Sequence, residues 1–138
     1  MLTIKYDLKL MKTIMLFENI TTAKVKDCVD VETMLIFIVE PLEMGKAIGK
    51  KGSNVRKIEN LFKRKIKIVE FSSEKTKFLA NLLHPATGFE IADEGEIIKI
   101  RANDLKTRGY IIGRNATNLR MLEDIVRRYY EVKEIKVI

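Results

Sequence analysis

The stretch GKAIGKKGSNVRKIENLFKR, Gly45 to Arg64, decides the fold, because the chain carries it twice. The second copy is GYIIGRNATNLRMLEDIVRR, Gly109 to Arg128, which lies 64 residues further on and aligns without a gap. Seven of the twenty aligned positions are identical: Gly45/Gly109, Ile48/Ile112, Gly49/Gly113, Asn54/Asn118, Arg56/Arg120, Glu59/Glu123 and Arg64/Arg128. Others keep their type, as at Lys50/Arg114, Ser53/Thr117 and Ile58/Leu122. A repeat of this length in 138 residues means two copies of one small domain rather than a solenoid.

Secondary structure follows outward from the repeated stretch. Val55, Ile58, Leu61 and Phe62 form an apolar stripe, so a helix is expected over about residues 53–64, with Ser53 or Asn54 near its N-cap. A shorter helix is expected over about 43–48, before the turn Gly49 to Gly52. Upstream, Met34 to Val39 is a continuous apolar run and reads as a buried strand. About 24–31 reads as another strand, with Asp27 and Asp30 interrupting its apolar pattern. Leu8, Met11, Ile14 and Met15 place a helix over about 7–19, opened by Asp7. Downstream, Ile66, Ile68 and Phe71 alternate as a strand.

The offset then predicts the second half. A helix is expected over about 71–83, capped by Ser72 or Ser73 and ended by Pro85. Strands follow at Phe89–Ile91 and Ile97–Ile100, around a turn at Asp93 to Gly95. Next come a short helix over about 104–112, a turn at Gly113, and a helix carrying Leu119, Leu122, Ile125 and Val126. Ile135 and Val137 close with a strand. Each half therefore reads helix–strand–strand–helix–turn–helix–strand. This is an α/β (α+β) arrangement in which a three-stranded sheet carries its helices on one face. The expected domains are 1–72 and 73–138, with almost no linker.

Lys and Arg number 26 against 19 acids, a formal charge of +7. From Gly45 to Lys67 nine basic residues face one acid, a net +8; from Lys106 to Arg128 the net is +4. The remainder sums to −5, so the chain is slightly acidic with two basic segments, both on the repeated element. An anionic partner is expected, nucleic acid first and a membrane surface second.

The lone Cys28 cannot form an internal disulfide, which points to a reducing compartment. With His84 it cannot supply the roughly four ligands of a structural zinc site. Cys28 reads as a small core residue and His84 as a helix-end residue. No apolar run reaches the roughly 18–20 residues of a membrane span. Lys5, Asp7, Lys9 and Lys12 interrupt the opening segment, unlike a signal peptide. A cytoplasmic monomer without cofactor or metal is expected. Gly45 and Gly49 are too close for a Walker loop, and Ala47 breaks a dinucleotide fingerprint. No nucleophile–base pair is apparent, so the chemistry expected is binding, not catalysis.

Ile48-Gly49-Lys50-Lys51-Gly52, set between two helices with strands on either side, resembles the G-x-x-G loop of a KH domain. The placing of the strands after the first helix resembles the type II, prokaryotic version. Two glycines let the backbone turn tightly and admit a sugar-phosphate chain without a Cβ in the way. The free N–H groups and dipole of the next helix favour that chain's charge. Such loops clamp about four nucleotides of single strand. The expected RNA contacts are Lys46, Ile48, Gly49, Lys50, Lys51, Gly52, Asn54, Val55, Arg56 and Lys57 in the first copy. In the second they are Gly113, Arg114, Asn115, Asn118 and Arg120.

The second loop departs from the motif at Ala116, which is strained there if the position needs a positive φ. Tyr110 is the one aromatic beside a loop, so an aromatic-rich stacking platform is not expected. Ile48, Val55, Ile58 and Ile66 are candidate walls of an apolar groove, with Ile58 leaning to the core. Of Tyr129 and Tyr130, one is expected in the core and one at the surface.

A sharper resemblance runs along nearly the whole chain. Phe17-Glu18-Asn19-Ile20-Thr21, Val25 to Cys28, Met44 to Asn54, Ile68 to Phe71, Phe78, Asn81-Leu82 and Pro85-Ala86 resemble the archaeal NusA family. In that family two fused KH domains act as one continuous RNA-binding surface. The role implied is binding nascent single-stranded RNA during transcription elongation or termination, with RNA polymerase as a further partner. Bacterial members add a polymerase-binding domain and a small RNA-binding barrel. Nothing in these 138 residues resembles either, so the resemblance carries RNA binding further than polymerase contact. Two other readings stand beside it: a KH protein of ribosome assembly or RNA decay, and a basic module docking an acidic protein such as a polymerase subunit.

Overall fold

The computed structural model describes residues 8–138. The chain divides into two compact units, Met1–Phe71 and Ser72–Ile138. The first contains α1 (Leu8–Thr21), β1 (Val25–Val31), β2 (Met34–Val39), α2 (Met44–Ile48), α3 (Ser53–Phe62) and β3 (Lys65–Glu70). The second contains α4 (Lys75–Leu83), β4 (Phe89–Glu94), β5 (Ile97–Ala102), α5 (Leu105–Ile112), α6 (Thr117–Arg127) and β6 (Glu134–Val137). A single 3₁₀ turn precedes the long helix in each unit, at Lys50–Gly52 and Arg114–Ala116.

Both sheets have three strands and one topology. β2 pairs antiparallel with β1 and parallel with β3, and β5 does the same with β4 and β6. The parallel pairing needs a crossover, and the two helices with their glycine turn supply it. The Met34–Val39 run is continuously apolar because β2 is the central strand and five of its six residues are buried.

The first unit's core packs α1, α2 and α3 on one face of the sheet. Phe17 stacks on Phe37 at 4.1 Å between ring centroids, and Phe62 closes on Phe37 at 6.3 Å. Cys28, Leu35, Val39, Ala47, Ile58 and Ile66 complete this buried cluster. In the second unit Phe78 occupies the position equivalent to Phe37 in importance rather than in sequence. Tyr129 meets it edge-on at 5.5 Å and Tyr130 lies at 5.8 Å.

Several local expectations are corrected. Leu8, Met11 and Met15 face solvent on α1, while Leu10, Ile14, Phe17 and Thr21 turn towards the core. Leucine populates both faces of this helix, and of the four residues that set its period only Ile14 lies on the core side. Asp7, expected to open α1, lies outside the described residues. The cap of α3 is Gly52, in a left-handed conformation, with no side-chain cap; Ser53 is already helical. α4 starts at Lys75 behind Glu74. Ser72 instead accepts a hydrogen bond from the Glu74 N–H at 3.1 Å, forming a turn before the helix. Tyr129 and Tyr130 are both half-buried, rather than divided between core and surface. The Tyr130 hydroxyl donates to the Ser72 carbonyl, and burial raises its pKa.

Asp27 interrupts the pattern of β1 for a structural reason. The register shifts between Val25 and Asp27, leaving Lys26 as the extra residue of a β-bulge. Asp27 is 2% exposed, and its carboxylate accepts from the Cys28 N–H at 2.8 Å. Lys26 lies over the Phe71 ring at 4.3 Å.

Two carboxylates hold the second unit's turns. Asp104 caps α5 by accepting from the Thr107 N–H at 2.7 Å, and Asp93 pairs with Lys75 at 2.9 Å. The Thr107 N–H holds the Asp104 carboxyl below its ordinary pKa, and the Lys75 hydrogen bond does so for Asp93. Their stabilisation is complete above the ordinary carboxylate range and fades as pH falls through the lowered values. Melting temperature is therefore expected to fall as pH drops below about 4, the ordinary carboxylate value. Asp104→Asn keeps a capping oxygen without a titrating proton, and melts recorded against pH are expected to show a shallower fall for it.

Candidate nucleic-acid interface

The two glycine turns share one backbone path. Gly49 has φ 77° and ψ 169°; Gly113 has φ 75° and ψ 171°. Lys51 and Asn115 follow at φ 55° and 56°, then Gly52 and Ala116 at φ 74° and 60°. The first conformation is essentially open only to glycine. The other two are left-handed helical, which an L-residue adopts at a cost of about 1–2 kcal/mol.

A second constraint fixes the first glycine. A Cβ on Gly49 would lie 2.8 Å from the side chain of Asn54 and 2.9 Å from its backbone nitrogen. On Gly113 it would lie 2.9 Å from Asn118. Each asparagine fills the missing Cβ's space for a reason. Asn54 donates from Nδ2 to the Lys46 carbonyl at 2.8 Å, and Asn118 donates to the Tyr110 carbonyl at 2.9 Å. Both bonds tie the start of the long helix to an end carbonyl of the short one. Ala replaces the second glycine and not the first because only the second position tolerates a Cβ. On Gly52 a Cβ would meet only the Arg56 guanidinium, at 3.4 Å.

Cations surround the first turn. Lys46, Lys50, Lys51, Arg56 and Lys57 are all exposed. Arg56 also donates from Nη1 to the Lys51 carbonyl at 2.7 Å and so braces the turn. Lys46 pairs with Glu43 at 3.2 Å. In the second copy Arg114 and Arg120 are exposed, and no bond from Arg120 to the turn matches that of Arg56 among the described residues. No side chain caps α3 or α6, and the Ser53 and Thr117 N–H groups donate to the Lys50 and Arg114 carbonyls of the preceding turn. Ile48 and Val55 reach the surface beside the turn. Ile58 and Ile66 are buried in the core and line no groove.

Not every cation of the basic segment belongs to this surface. Arg64 pairs with Asp30 at 2.8 Å and donates to the Met34 carbonyl at 3.1 Å, pinning the strand ends. Lys67 sits on β3, and burial lowers its pKa. Among the described residues no three His, Cys, Asp or Glu side chains are placed to hold a metal ion. No described helix is long and apolar enough to cross a membrane.

Residues 13–73 match the KH domain family. A protein of Methanococcus vannielii named "Probable transcription termination protein NusA" is 34% identical over 133 residues, covering 91% of this chain and 74% of that protein. A protein of the same name from Methanocaldococcus jannaschii is 33% identical over 128 residues, covering 88% and 68%. The chain belongs to the archaeal NusA-like family of KH-domain proteins. The Halobacterium salinarum protein of that name is 26% identical over 138 residues, and the match covers 99% of both chains. The crystal structure of APE1850 shares the fold, with a TM-score of 0.73 and 22% identity over 96% of this chain and 99% of that one.

The family resemblance drawn from sequence was right, and so was the α/β class with two three-stranded sheets. What the NusA-like pattern hid was the role of its asparagines. The Asn54 and Asn118 amides, expected among the RNA contacts, also each donate a hydrogen bond that holds the turn. The signal for this lay in the sequence, since Asn54 and Asn118 recur together with Gly49 and Gly113.

The strain at Ala116 gives a stability prediction. Ala116→Gly is expected to raise stability by about 1 kcal/mol, read as a higher urea midpoint at unchanged slope. Gly113→Ala is expected to lower it by more than that, because both the φ/ψ region and the Asn118 contact oppose a Cβ.

Proposed function

We propose that the protein binds single-stranded RNA through both glycine turns and acts as a NusA-like factor on nascent RNA. The observation that carries this reading is that two turns of different sequence keep one backbone conformation. Asn115 and Ala116 hold left-handed angles that glycine would take at no cost. A corner needed only to join two helices has no reason to keep that strain.

The chemistry of each turn fits a sugar-phosphate chain. Gly49 and Gly52 offer backbone without side chains, and Lys50 and Lys51 offer charge on either side of the phosphates. Lys46, Arg56 and Lys57 extend the positive surface along the flanking helices. Ile48 and Val55 give the bases an apolar edge, while Asn54 holds the geometry from behind. In the second copy Gly113, Arg114, Asn115 and Arg120 take the corresponding places, with Asn118 as the brace. Fewer cations there mean a weaker grip. RNA polymerase is the protein partner that this role implies, and the cytoplasm is its compartment.

The KH domain is an RNA-binding module. Fluorescence anisotropy with labelled 12-nucleotide RNAs tests the assignment. Lys50→Asp combined with Lys51→Asp is expected to abolish measurable binding while the circular dichroism spectrum stays native. Wild-type affinity is expected to fall with salt at a log–log slope near −0.7 per phosphate neutralised. Undiminished binding by the double variant would remove the turn from the interface.

A further inference from the structure

Tyr110 is 56% exposed, the only exposed aromatic side chain among the described residues. It has no ring partner among them. It lies on α5, three residues before Gly113, or about 4.5 Å along the helix axis. Its carbonyl is held by Asn118. The ring is therefore carried by the same brace that sets the second turn.

Beside the ring is a recess of about 470 Å³. One wall is the connection between α4 and β4, with Pro85, Ala86 and Thr87; the other is α5, with Lys106, Thr107 and Tyr110. Its size is that of a small-ligand cleft. The first copy is built differently at the matching positions. There Glu43 accepts from the Lys24 N–H at 2.8 Å and pairs with Lys46 at 3.2 Å, bridging α2 to the segment before β1. At the same offset the second copy has Thr107, Gly88 and Tyr110 in place of Glu43, Lys24 and Lys46. Thr107 lacks the carboxylate that makes that bridge, Gly88 adds no side chain of its own, and the recess opens beside them.

The recess offers groups that a nucleobase can use. The Thr107 hydroxyl oxygen can accept from an amino or hydroxyl group. Thr87 supplies a second hydroxyl able to donate or accept. Lys106, on the recess wall, and Arg108 are both exposed on α5 and would meet the strand's phosphates at the rim. An exposed, rigid ring beside a nucleic-acid turn offers stacking to any base, because every base has a π-face.

We propose that Tyr110 is a base-stacking contact of the second copy, with a base of single-stranded RNA entering the recess between Tyr110 and Thr87. The two copies then divide the task. The first, with Lys46 at this position, grips phosphates; the second holds a base where its turn has lost cations. This inference rests on the reading that the protein binds RNA.

The test measures binding of labelled 12-nucleotide RNAs by wild type, Tyr110→Ala and Tyr110→Phe. Tyr110→Ala is expected to weaken binding roughly 5–100-fold, while Tyr110→Phe stays within about twofold. The salt slope is expected to remain that of wild type, because no cation has been removed. RNAs carrying 4-thiouridine are expected to crosslink to the peptide containing Tyr110. Thermal melts confirm that each variant is folded. Wild-type binding with unchanged Tyr110→Ala affinity would overturn this proposal alone and leave the recess to a protein ligand. A wild-type protein that binds no RNA would overturn both readings.

Discussion

The approach of Asn54 to Gly49, and of Asn118 to Gly113, is the contact on which each copy's glycine turn depends. An asparagine amide sits where the glycine Cβ would be and donates to a carbonyl of the preceding helix. The contact ties the short helix to the long one and closes the first glycine's position to any side chain. It also fixes where the uncapped N–H groups of the long helix point. Remove either partner and the turn loses its reason to hold this path.

This explains how the two copies diverge without losing their geometry. The first glycine is held by two constraints, its φ/ψ region and the asparagine. The second is held by one, a left-handed φ that alanine can take with moderate strain. Change has entered at the weaker constraint. Elsewhere the copies differ where packing permits. The Lys26 bulge adds a residue to β1 that β4 lacks, and β6 begins later relative to its helix than β3 does. Neither change reaches the turn.

Charge tells a similar story. The net +8 of Gly45 to Lys67 is not one binding surface. Arg64 is committed to Asp30 and to carbonyls at the strand ends, and Arg56 serves both the turn and the solvent side. Counting cations along a sequence merges those that hold the fold with those that face a ligand. Only the tertiary contacts separate them.

The sequence by itself determined the repeat, the order of elements, the sheet's central strand and the two turns. These rest on local chemistry: glycines where the backbone must bend, apolar runs where a strand is covered on both faces, and spacing that repeats in both copies. It did not separate the faces of α1, since Leu8 and Leu16 are exposed while Leu10 and Ile14 pack on the core. It also misplaced the starts of α3 and α4, where a left-handed glycine and a serine turn replaced the expected caps. Only the tertiary structure decided that Asn54 and Asn118 brace the turns, that Ile58 and Ile66 belong to the core, and that Tyr110 stands beside an open recess. Those facts depend on which side chains meet across distant parts of the chain, and no local pattern carries that information.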